Sequence, residues 1–220
     1  MPATLKSLEP QQARSRDSLL RLLKAAAEVL GQQGVAGATI PRIASHASLT
    51  PGAVYRRFRN KDVLLETMIL RIMQDQDEYI RRSITPAMAA EIPVAILAGQ
   101  VINNLLISYR KNAGLLRAIR QFVQGREGSP FWKKVTRIQL GTLDYVVDLI
   151  VTGKGEIRHA SPRTAVGLAI AMAVGALWEL VVNAPDARLW KGLVPASDKE
   201  LQQELTRSFL SYLEIDRRSV

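Results

Sequence analysis

The chain contains no cysteine and only two histidines, His46 and His159. Disulfides, thiol chemistry and cysteine-based zinc sites are therefore excluded, and a histidine-rich metal site lacks its ligands. Carboxylates alone can hold a hard cation, but no loop carries them at the clustered spacing such a site uses. There is no phosphate-cradling glycine loop and no paired-carboxylate signature, so neither catalysis nor a cofactor is expected. No segment alternates apolar and polar residues long enough to make a convincing strand. Met1 to Pro10 is polar and lacks an apolar core, so export is not indicated. The uncharged stretch Thr164 to Trp178 is 15 residues long and ends at Glu179. That falls short of the roughly 20 residues that span a bilayer. A soluble, cytoplasmic protein with no membrane partner is expected.

Aromatics make up only 5% of the 220 residues, whereas the apolar fraction is 47% and rich in Ala, Leu, Ile and Val. Unbranched Ala and Leu lose little rotamer freedom in helices, so this mixture suits close-packed helices. The net charge of +10 invites a polyanionic partner. Its distribution is uneven. Residues 1–62 hold ten Lys/Arg against four Asp/Glu, whereas the remaining residues hold twenty against sixteen.

Along the chain the pattern is helical almost throughout. Residues 1–14 show no periodicity and read as a flexible basic arm. From Ser15, Leu19, Leu22, Leu23, Ala26, Val29 and Leu30 recur at steps of three and four, and Gly34 supplies a stop. Thr39 caps a short helix reaching about His46. Thr50 caps another, with Pro51 at its first position, where a missing N–H costs nothing. Asn60 and Asp62 open a longer helix toward Ile84. Pro86 and Pro93 mark a break, after which helices are predicted over about 93–111, 115–124, 130–152 and 162–183. Ser197 and Glu200 form the capping box of a last helix. The fold class is all-α with about nine helices.

Two short helices separated by a tight turn at Ala47–Leu49 make a helix-turn-helix. Ile43, Ala44, Ala47, Leu49, Val54 and Phe58 point inward. Thr50, Pro51, Gly52, Ala53, Tyr55, Arg56 and Arg57 are left outward on the second helix, which fits the major groove of B-DNA. Small residues at Gly52 and Ala53 admit close backbone approach, and Arg57 suits a guanine or a phosphate. Tyr55 and Lys61 suit phosphates, and Thr39 and Arg42 grip the backbone or adjoining bases from the first helix.

The stretch resembles the signature of the tetracycline-repressor (TetR) family. The resemblance rests on Thr39, Ile43-Ala44, Ser48-Leu49, Thr50-Pro51-Gly52, Val54, Tyr55, Phe58 and Lys61-Asp62, and covers about residues 18–70. Ser48 stands where glycine is usual, and Pro41 falls early in the first of the two helices. The resemblance implies a three-helix DNA-binding domain over residues 15–61. It also implies a larger effector-binding and dimerisation domain over residues 62–220, and a double-stranded operator as partner. The regulator would be a repressor released from a near-palindromic operator by an unidentified small molecule. A ligand-dependent activator or co-repressed regulator of the same fold is the alternative, and a nonspecific chromosome-binding protein a weaker one.

In the body, Gly167, Ala171 and Gly175 allow close helix approach, and Leu205, Phe209 and Tyr212 offer an apolar face. Two such helices from each chain would make a four-helix homodimer interface. Polar groups set among apolar ones suggest a ligand pocket. Asn103, Arg120, Gln139 and Glu179 would supply its polar contacts, and Tyr109, Phe122, Trp132, Met172 and Trp178 its walls.

Overall fold

A computed structural model describes residues 8–155, 157–183 and 190–215, with side chains from Ser15 onward. Nine α-helices run through the described residues. They are α1 (Leu8–Gly37), α2 (Ile40–His46), α3 (Pro51–Tyr55), α4 (Lys61–Ser83), α5 (Pro86–Ala89), α6 (Val94–Gln124), α7 (Pro130–Thr152), α8 (Pro162–Leu177) and α9 (Asp198–Tyr212). A π-helical turn, Trp178–Asn183, prolongs α8. No strand occurs among the described residues; the all-α expectation is met.

Local chemistry sets most of the helix starts. Thr50 Oγ1 accepts the Ala53 N–H at 3.2 Å, Asn60 Oδ1 accepts that of Val63 at 3.0 Å, and Ser197 Oγ accepts that of Glu200 at 3.2 Å. Each side chain satisfies a donor that the first helical turn leaves orphaned. Gly34, at φ +66°, breaks the helical geometry of α1 where the glycine stop was predicted.

Three expectations need correction. Helix α1 begins at Leu8, not Ser15, because Gln11, Gln12 and Ala13 favour helix without any apolar stripe. Residues 1–7 of the expected arm lie outside the described residues. The two helices predicted over 93–111 and 115–124 are one, α6, kinked where Asn112 departs to φ −118°, ψ 18°. The Asn112 side-chain amide donates to the Ser108 carbonyl at 3.0 Å, supplying that oxygen with a donor across the kink. The break at Pro86 holds a short helix, α5, capped by Thr85.

The apolar faces meet in two main clusters. The first joins Leu22, Leu30, Ile43, Val54, Phe58, Leu64 and Ile69 to Ala118, Phe122, Phe131 and Val135. It therefore packs α1–α4 onto the end of α6 and the start of α7, and it passes through the expected division at 61/62. The second gathers Leu97, Ile102, Val147, Ile150, Val166, Ile170 and Phe209. Phe209 is 3% exposed, and Leu205 and Tyr212 pack against the same cluster. On the apolar face of α9, Phe209 is thus consumed within the chain, and Leu205 and Tyr212 are half-buried there. An amphipathic pattern shows that a face is covered but not by which molecule.

The helix formed by α8 and its π turn, Pro162–Asn183, is 22 residues long, longer than its uncharged stretch suggested. By length and composition it could cross a membrane. Ala165, Val166, Ala169, Ile170 and Ala173 are buried in the second cluster, the position of a core helix.

Ser48 occupies the turn between α2 and α3 at φ +55°, a conformation L side chains rarely adopt. The left-handed state costs a non-glycine residue about 1–2 kcal/mol. A glycine returns part of that through its greater freedom in the unfolded chain, about 0.5–1 kcal/mol. Ser48→Gly is therefore expected to stabilise the fold by about 0.5–1 kcal/mol in urea unfolding. A loss of stability would mean that the serine is held by contacts worth more than its strain.

A polar seam joins α4 to α7. Arg81 Nε donates to Asp77 at 2.9 Å, Thr142 Oγ1 donates to Asp77 at 2.7 Å, and Arg81 also lies 4.4 Å from the Tyr145 ring centre. The Arg81 hydrogen bond holds the Asp77 carboxyl below its ordinary value of 3.8; burial opposes this and the Thr142 bond assists. A depressed carboxylate stabilises the fold fully above its unfolded value and loses that contribution as pH falls through the folded one. Asp77→Asn is expected to cost about 1 kcal/mol at neutral pH. The difference from the parent should shrink toward zero below pH 3.8. Urea titrations at pH 7 and pH 3 check both limbs.

Candidate nucleic-acid interface

Helices α2 and α3 stand at the edge of the first cluster, braced by α1 and α4. Ile40, Ile43, Ala44, Ala47, Val54 and Phe58 are buried, anchoring both short helices. Their other faces look outward. Thr39, Arg42, Thr50, Pro51, Gly52, Arg56 and Arg57 are exposed, Ala53 is half-exposed, and Tyr55 is 55% exposed. The residues expected to contact DNA thus share one open surface, apart from Lys61, which is half-buried at the start of α4.

Gly52 has a distinctive place there. Its backbone is not in the left-handed region, and a Cβ built on it would meet nothing within 4 Å. Nothing inside the chain requires glycine at this position, although glycine in a helix costs about 0.5–1 kcal/mol relative to alanine. The open space lies outside the molecule.

Hydrogen bonds divide the cations of this surface into anchored and free. Arg57 donates to Ser18 Oγ at 3.3 Å and to Ser15 Oγ at 3.2 Å, tying the turn after α3 to α1. Arg42 donates to the Gly37 carbonyl at 3.1 Å, and Lys61 to the Val35 carbonyl at 3.0 Å. These three are braces as well as charges. Arg56 and Arg59 make no side-chain hydrogen bond or ion pair among the described residues; Arg59 escaped the sequence reading, although its charge and its place just before Asn60 were available signals. His46 Nε2 lies 2.7 Å from Glu28, joining α2 to α1.

Two links connect this unit to the body. Arg126, two residues beyond α6, lies 2.8 Å from Asp62 and 3.7 Å from Glu66 at the start of α4. Its guanidinium stacks 3.4 Å from the Phe122 ring centre and donates to the Phe122 carbonyl at 3.0 Å. Farther along, α1 and α6 cross at Gly31 and Gly114, so closely that a Cβ on Gly114 would collide with the Gly31 carbonyl.

The residues expected to form a ligand pocket are only partly brought together. Tyr109 and Trp178 meet edge to face at 6.3 Å, and the Arg120 guanidinium lies 4.5 Å from the Trp178 ring centre. Arg117 donates to the Val182 carbonyl of the π turn. Burial pushes the Tyr109 phenol above its ordinary value, with Arg120 opposing. Glu179 accepts from Asn183 at 3.3 Å. Phe122 belongs to the first cluster, against Phe131 at 5.8 Å, and is no pocket wall. Asn103 and Gln139 are exposed, Trp132 is half-buried, and Met172 lies on the outer face of α8.

That outer face is apolar. Leu168 and Met172 are each 48% exposed, beside Gly167, Ala171 and Gly175. A Cβ on either glycine would meet nothing within 4 Å.

Comparison with known proteins agrees with this arrangement. Residues 22–68 match the model of the family described as bacterial regulatory proteins, tetR family. The HTH-type transcriptional regulator UidR of Escherichia coli K12 is 28% identical over 75 residues, 34% of this chain and 37% of that protein. The chain thus matches little more than a third of that relative's length. A TetR-family transcriptional regulator of Mesorhizobium loti superposes with a TM-score of 0.64 at 18% identity, covering 91% of this chain and 97% of that one. SmeT, the repressor of the Stenotrophomonas maltophilia multidrug efflux pump SmeDEF, superposes at 0.60 with 20% identity, covering 90% and 91%. These superpositions establish a shared fold along nearly the whole chain.

Proposed function

We propose that the chain is a member of the TetR family of bacterial regulatory proteins, whose model residues 22–68 match, and that it is a sequence-specific, homodimeric transcriptional regulator acting in the cytoplasm. In this reading residues 15–61 read DNA, and residues 62–220 form the effector-binding and dimerisation body. The observation that carries it is Gly52, an unneeded glycine on an exposed helix turn beside Tyr55 and the free cation Arg56. That surface suits duplex DNA lying against the backbone of α3, with Ala53 and Thr50 toward base edges and Tyr55, Arg56 and Lys61 toward phosphates.

Two copies would associate through the outer face of α8. Leu168 and Met172 supply apolar area there, and Gly167, Ala171 and Gly175 let the helices approach closely. A two-fold dimer presents its reading helices to half-sites about 34–36 Å apart, or a multiple of that, on a near-palindromic operator.

The regulator would be a repressor, as the name of SmeT describes that protein. A small molecule bound in the body would favour a conformer whose helix spacing mismatches the operator. Coupling of about 1–3 kcal/mol lowers affinity some 5–150-fold. The Gly31–Gly114 crossing and the Arg126–Asp62 pair are the contacts through which a shift of α6 would reach the reading unit.

Selection of duplexes from a random pool by the purified protein tests the reading. Recovery of a near-palindrome with half-sites one helical turn or a multiple of it apart, bound at least about 10³-fold tighter than random duplex, is expected. A protein that retains all sequences alike, with affinity set by salt alone, is a nonspecific binder and ends the proposal.

A further inference from the structure

A groove of about 620 Å³ runs between α1, α4 and α7. It is separate from the residues expected to hold an effector, and it lies where α1 meets α4 and α7. Its floor is apolar: Leu19, Leu20, Leu23 and Leu70, with Ile138 across from them. Leu20 is 45% exposed, so this floor is open to solvent in the single chain.

The walls carry charge of one sign. Arg16 comes from α1, Arg71 from α4, and Lys134 and Arg137 from α7, and among the described residues no acidic one lines the groove. Arg71 is neutralised by Asp75 at 2.9 Å. Arg16, Lys134 and Arg137 have no carboxylate partner among the described residues. Three uncompensated cations around an apolar floor form a region of positive potential beside low-dielectric surface, where an anion is attracted more strongly than in open water.

We propose that this groove binds an anionic amphiphile, a medium- or long-chain acyl or alkyl group ending in a carboxylate or phosphate. The chain would lie along Leu19, Leu20, Leu70 and Ile138, and the head would sit between Arg16 and the Lys134–Arg137 pair. The volume falls within the roughly 300–1,000 Å³ of small-molecule sites. The proposal deepens the effector part of the preceding reading and rests on it only for regulatory consequence. A ligand spanning α1, α4 and α7 would touch both the reading unit and the body.

Calorimetric titration of the full chain, without DNA, tests it. The probes are dodecanoate, dodecyl phosphate and dodecyltrimethylammonium, all below micelle formation. Dodecanoate, dodecyl phosphate or both should bind one-to-one, which also identifies the preferred head, and the cationic amphiphile should not. The double variant K134Q/R137Q removes two exposed charges and should weaken binding about tenfold or more. Leu20→Glu, which places an acid on the floor, should do the same with an unchanged circular dichroism spectrum. Equal binding of the cationic probe, undiminished binding by both variants, or no binding of either anion would overturn the proposal. So would preference for an acidic, leucine-rich helical peptide over both anions. Because no DNA is present, failure here leaves operator reading standing. Conversely, a protein that binds dodecanoate but selects no DNA sequence would refute only the regulator.

Discussion

Gly114→Ala is expected to lower the stability of the fold by about 1–3 kcal/mol, a large fraction of what a domain possesses. The added methyl group would collide with the Gly31 carbonyl, and backbone cannot turn aside as a flexible side chain would. Helices α1 and α6 must separate, or α6 must rotate about its kink at Asn112. Either movement disturbs the first cluster, where Ala118 and Phe122 of α6 pack with Leu22 and Leu30 of α1. Urea unfolding gives the stability, and operator titration gives the functional consequence. A stable variant with unimpaired DNA binding would show that the crossing is looser than described. It would then not be a contact through which the body positions the reading helices.

The second large effect concerns assembly. Ala171→Glu places a carboxylate at the middle of the exposed α8 face, between Leu168 and Gly175. Two such charges brought together in an apolar interface are costly, because neither finds a partner. Sedimentation should show a dimer for the parent and a monomer for the variant, with helical content intact because Ala171 is exposed. Operator affinity should fall by more than about 100-fold, because one reading helix loses the second as a tethered neighbour. A variant that remains dimeric would move the interface elsewhere. The outer face of α9 would then be the next surface to test, although Gln203, Glu204, Arg207 and Ser208 make it polar.

The reading unit was largely legible in the sequence because its signals are local. Thr50 caps α3 from three residues away, Pro51 fills a position that needs no donor, and Asn60 opens α4 in the same manner. The inward set Ile43, Val54 and Phe58 follows from helical spacing alone. What escaped depends on distant residues. The anchoring of Arg57 by Ser15 and Ser18, and of Lys61 by the Val35 carbonyl, requires knowing how α1 approaches α3 and α4. The burial of Phe209 and partial burial of Tyr212 as α9 packs on α6 and α8 looks, in sequence, identical to a face awaiting a second copy. The continuity of α6 was hidden because the chain carries helix-weakening Asn112 and Gly114 where the helix bends but does not end. The ligand residues were the least legible. Polar side chains in apolar helices are equally suited to surface exposure, as for Asn103, and to helix-helix contact, as for Arg120.

Gly52→Ala separates recognition from folding more directly than any other change. The methyl group meets no atom of the chain, and alanine is the better helix former, so the melting temperature should hold or rise. Fluorescence anisotropy on the selected duplex should show affinity weakened at least tenfold, with binding to random duplex little altered. Undiminished affinity for the selected duplex would mean that no nucleic acid lies against this turn of α3.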